Sequence, residues 1–94
     1  MTPEQEISRG IDAERILNEP VFKDAMERMR SEIVSQWAAV SAQDTKAREW
    51  LWNHYQVALK FEELLKSAMQ TGKMAKLKQE QSLKERAMNI WKRD

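Results

Sequence analysis

A chain of 94 residues with two glycines, two prolines and no cysteine predicts an all-α fold. Strands need frequent turns, and two glycines and two prolines leave little material for them. Runs of Val, Ile and Thr alternating with period two are absent, whereas apolar residues recur at steps of three and four over long stretches. The architecture expected is a long antiparallel helical hairpin with a short N-terminal helix and a C-terminal helical segment.

The first helix is expected from Pro3 to about Leu17. Thr2 suits the cap, Pro3 the first helical position, and Gln5 completes a capping box. Gly10 is its weak point. Asn18-Glu19-Pro20 reads as a stop and restart, with Asn18 as the new cap and Pro20 in the first turn.

The second helix is expected from Glu19 to Val40, with Phe22, Met26, Met29, Ile33 and Val40 on one face, widened by Trp37. Ser41-Ala42-Gln43-Asp44 is a polar break, in which Ser41 is the expected cap and Asp44 supplies first-turn negative charge. Asp44 and Arg48 are spaced for an i,i+4 ion pair at the helix start, the favoured reading; the alternative has Arg48 bonding across to the end of helix two and fixing the turn.

The third helix is expected from Ala42 to Thr71. Trp50, Leu51, His54, Val57, Ala58, Phe61, Leu64, Leu65 and Ala68 form the stripe expected to face helix two. Gly72 reads as a C-terminal glycine, with Lys73 beside it. A short loop between two long helices turns them antiparallel.

Residues 1–72 are therefore expected as a helical hairpin domain and residues 73–94 as a basic C-terminal helical tail. Residues 1–70 carry net charge −3 and residues 71–94 carry +4.

The same numbers narrow the function. A net charge of +1 argues against a broadly basic nucleic-acid coat, and a mean hydropathy of −0.77 argues against a membrane span. The acidic N-terminus lacks the apolar stretch of a signal peptide, so the expected location is the cytoplasm, or a virion. Without cysteine there is no thiolate chemistry. His54 has no His, Asp or Glu at i±3 or i±4, so no metal ligand set forms around it. Glu62 and Glu63 diverge around their helix, and no glycine-rich phosphate loop is present. The expectation is a non-enzyme without metal or cofactor.

Four tryptophans point instead to contact surfaces. Trp52, Tyr55 and Leu59 form a second stripe on helix three that one hairpin partner is not expected to cover. With Trp91 they are the candidate interaction residues, and a homo-oligomer is the expected state. The alternative is a nucleic-acid contact through Lys73, Lys76, Lys78, Lys84, Arg86, Lys92 and Arg93, with Trp91 as a stacking group. A third reading is an inhibitor docking on a host enzyme.

One further signal runs from Arg9-Gly10 through Ala13, Leu17, Pro20, Phe22, Ala25, Trp37, Asp44, Arg48-Glu49 and Leu51-Trp52 to Gly72-Lys73. This pattern resembles small helical proteins encoded in tailed-phage and prophage genomes, over about residues 9–73. The resemblance implies a phage virion-assembly or accessory protein, with phage or host proteins as partners. It implies no activity and no functional residue, and the tail beyond Gly72 lies outside it.

Overall fold

A computed structural model describes residues 1–92, all of whose regular structure is helical. The elements are α1 (Pro3–Asn18), α2 (Pro20–Ala39) and α3 (Thr45–Lys92). They form a rod of 78 × 25 × 18 Å. Its radius of gyration, 21.3 Å, far exceeds the roughly 12 Å of a globular domain of this length.

The start of α1 follows its sequence. The Thr2 hydroxyl accepts from the Gln5 backbone N–H, and the Gln5 side chain accepts from the Thr2 N–H, completing the capping box. The later boundaries differ from expectation. Asn18 is the last residue of α1 and does not cap α2. Glu19 takes that place with φ −67° and ψ 122°, and its side chain makes no capping bond. The ring of Pro20 disfavours helical geometry in the preceding residue, which is why the break falls at Glu19. At the second turn the cap is Asp44, whose Oδ1 accepts from the Ala47 N–H at 3.2 Å, and not Ser41. A carboxylate at the cap also meets the positive end of the helix dipole.

The largest correction concerns Gly72. It does not end a helix: α3 runs through it without interruption for 48 residues, about 72 Å. The expected boundary between residues 72 and 73 thus falls inside α3. Gly72 is buried and serves a close approach between α1 and α3. A Cβ added at Gly10 would lie 2.8 Å from the Gly72 Cα, and one added at Gly72 would lie 2.8 Å from the Glu6 carbonyl oxygen. Both obstacles are backbone atoms, which cannot swing aside. Ala13 on α1 and Ala75 on α3 are buried as well.

Along α2 the spacing is set by larger side chains. Phe22 packs on Phe61 with ring centroids 6.1 Å apart, and Trp37 meets Trp52 nearly edge-on at 6.3 Å. Polar contacts join the same elements: Gln79 donates to Glu4, Lys73 pairs with Glu14, and Arg30 pairs with Glu62 at 2.9 Å. From Glu4 through Phe22 to Trp37, the partners on α3 fall from Gln79 through Phe61 to Trp52. The break at Glu19 lets α1 sit at backbone contact while α2 stands off at the width of aromatic rings.

Candidate functional surface

The buried line of α3 advances by steps of three and four, alternating from Leu51 to Gly72. Leu51, Ala58, Gly72 and Ala75 are fully buried, with Tyr55, Glu62, Leu65 and Met69 half-buried between them. A repeat of 3.5 residues keeps one seam of a long helix facing its neighbours. This seam runs between the two stripes expected from the sequence, so each stripe becomes a flank.

On one flank lies the stripe expected to be core. Trp50 is 56% exposed, Val57 68%, Phe61 51% and Leu64 57%. His54 is exposed as well. Only Leu51, Ala58 and, in part, Leu65 and Ala68 of the expected stripe turn inward. Along α2 the seam is filled by Leu51, Tyr55, Ala58 and Glu62, which leaves Trp50, Val57 and Phe61 to one side of it. Met29, Ile33 and, at the polar rim, Glu32 and Gln36 of α2 join Trp50, His54, Val57 and Phe61 around a shallow, mostly apolar groove of about 450 Å³. The His54 ring stacks on Trp50 with centroids 3.7 Å apart. Its Nδ1 lies 2.9 Å from the Trp50 carbonyl oxygen, which only accepts, so Nδ1 carries the proton and donates. That bond fixes the ring against the indole.

On the other flank Trp52 is exposed, while Tyr55 and Leu59 are half-buried. Contrary to expectation, α2 reaches this stripe: Trp37 leans on Trp52, and Ile33, Val34, Trp37, Trp52 and Tyr55 line a small groove. Arg48 closes its end. The guanidinium lies 5.4 Å from the centroid of the Trp37 ring and donates from Nη1 to the Ala42 carbonyl at 3.4 Å. Arg48 thus braces the turn across to α2, the alternative reading of this pair, while the favoured pairing with Asp44 is not formed and the Asp44 carboxylate caps the helix.

Beyond Gln79 every described residue is exposed. Residues 80–92 extend past the end of α1 by about 20 Å of helix. They carry Leu83, Met88, Ile90 and Trp91, the last 86% exposed, together with Lys84, Arg86 and Lys92. Lys76 and Lys78 are exposed just before them. Lys73 is engaged with Glu14 at 3.6 Å, and Arg93 lies outside the described residues.

Glu62 is the one acidic residue of the seam, its side chain 19% exposed between Arg30 and Lys66. The Arg30 Nε beside it is buried without a hydrogen-bond partner. This cluster ties α2 to α3. Among the described residues no three of His, Asp and Glu gather as metal ligands. Among the same residues no helix is long and apolar enough to cross a membrane. No protein-family model matches the chain, and neither a curated protein nor a solved structure does.

Proposed function

We propose that this protein works by protein–protein association, as a non-enzymatic assembly or accessory factor built on an antiparallel helical hairpin. The observation that carries this reading is the open face of Trp50, Val57, Phe61 and Leu64, more than half exposed along one side of α3. Their uncovered surface, with that of Met29, amounts to roughly 500 Å², within the range at which a surface patch is often functional. Two tryptophans and a phenylalanine on these flanks are the residue types that anchor interfaces. The phage resemblance of residues 9–73 makes a phage protein, assembling with its own kind or with a host protein, the setting we favour.

The test is a charge placed in the face. Val57→Glu should leave the helical content unchanged and remove association, read as solution mass and as capture of partners from the producing cells. A protein that neither self-associates nor loses any partner on this substitution would refute the reading.

The exposed helix of residues 80–92, with Lys84, Arg86, Lys92 and Trp91, supports a second reading as a nucleic-acid contact. Its cations are interrupted by Glu80 and Glu85, which lowers the number of phosphates one chain neutralises.

A further inference from the structure

We propose that the partner covering the Trp50–Leu64 face is a second copy of this chain, packed antiparallel about a two-fold axis at Val57 to close a four-helix bundle. This rests on the association reading above and names its partner.

Three observations favour a second copy. The first is charge. About one third of the residues are charged, yet the five exposed positions of this stripe from Trp50 to Leu64 carry no formal charge. The opposite flank is interrupted at Glu49, Glu63, Lys66 and Lys73. A solvated helix face has no reason to exclude charge over about four turns; a face that packs on another helix does.

The second observation is area. The fully buried apolar residues are Ala13, Met26, Leu51, Ala58 and Ala75, so few large side chains leave water within one chain. Pairing two faces of roughly 500 Å² would bury about 1,000 Å² of apolar surface. Polar residues at the rim would bring the total into the standard range of about 1,200–2,000 Å². Two pairs of arms, each too thin to enclose a core, would then share one.

The third observation sets the direction. Trp50, His54, Val57, Phe61 and Leu64 are spaced almost symmetrically about Val57. Reversing one copy sets Val57 against its mate, Trp50 against the other copy's Leu64, and His54 against its Phe61. A two-fold interface requires such self-complementarity. Parallel packing would lay two C-terminal segments of charge +4 side by side, whereas antiparallel packing sends them to opposite ends.

The chain has no cysteine of its own, so single thiols report the geometry directly. Val57→Cys should oxidise to a covalent dimer. Trp50→Cys and Leu64→Cys should each stay uncrosslinked alone and crosslink when mixed, because like positions in the antiparallel pair lie about 20 Å apart. All three sites are more than half exposed, and circular dichroism confirms that each variant folds. Light scattering of the unmodified chain should give twice 11.1 kDa. Equal crosslinking by Trp50→Cys alone would overturn the antiparallel arrangement. A mass of 11.1 kDa at several hundred micromolar would overturn the second copy. In that event a cellular partner held by the unmodified chain and lost by Val57→Glu would leave the association reading standing, and no such partner would end both.

Discussion

Gly10 and Gly72 show how a single atom decides the packing of this chain. Each lies inside a continuous helix that alanine would favour by about 1 kcal/mol, and their sequence signature is that of a weak point and a terminator. In the folded chain a methyl group at either would sit 2.8 Å from the other's Cα. Gly72→Ala should therefore destabilise by about 1–3 kcal/mol despite its better helix propensity, as overpacking does. Denaturant unfolding gives the sign, and a stabilised variant would show that α1 and α3 are not in contact. A second comparison separates core from flank. Leu51 is 2% exposed, and Leu51→Ala should cost about 2–5 kcal/mol. Phe61→Ala should cost clearly less in dilute protein and act on association instead. Equal losses at both sites would place Phe61 in the core of the single chain.

At the scale of the element, α3 is the axis on which everything is mounted, and its parts differ in what supports them. Residues 51–79 carry the buried and half-buried positions that face α2 and α1, while residues 80–92 are exposed throughout. A helical segment of this length without tertiary support is marginal in water. Deleting residues 80–94 should change the melting temperature by less than about 4 °C, equivalent to under 1 kcal/mol for a domain of this size. The same deletion tests the nucleic-acid reading. Four phosphate contacts per chain would give a salt slope of roughly −3. We expect the full chain to bind DNA or RNA only weakly near physiological salt. Submicromolar affinity with that slope, lost on deletion, would instead make the terminal helix the functional element.

For the whole molecule, the rod shape is a statement about burial. A length of 78 Å for the 92 described residues gives each cross-section at most two helices, and two helices leave both flanks of their contact wet. Pairing about Val57 would place 35 residues of α3 on the long side of the axis in each copy, a span of roughly 105 Å end to end. Small-angle scattering should therefore show a maximum dimension well beyond the 78 Å of one chain. A parallel pair would remain near 78 Å while doubling in mass.

The helical class, the capping box at Thr2 and Gln5, and breaks near Pro20 and residues 41–44 were legible in the sequence because each depends on neighbours a few residues away. The identity of the caps at Glu19 and Asp44 was less so, since several polar residues compete for one position. Which face of α3 is buried could not be read from hydrophobicity, because both stripes are apolar and the seam lies between them. The distance between helices decides that, and it depends on residues far apart in the chain: Gly10 meeting Gly72, and Phe22 and Trp37 setting the gap at α2. Glycine carries no side chain by which a sequence pattern registers it as core. Only the tertiary contact turned an apparent terminator into the closest point of the fold, and an apparent core into an open face.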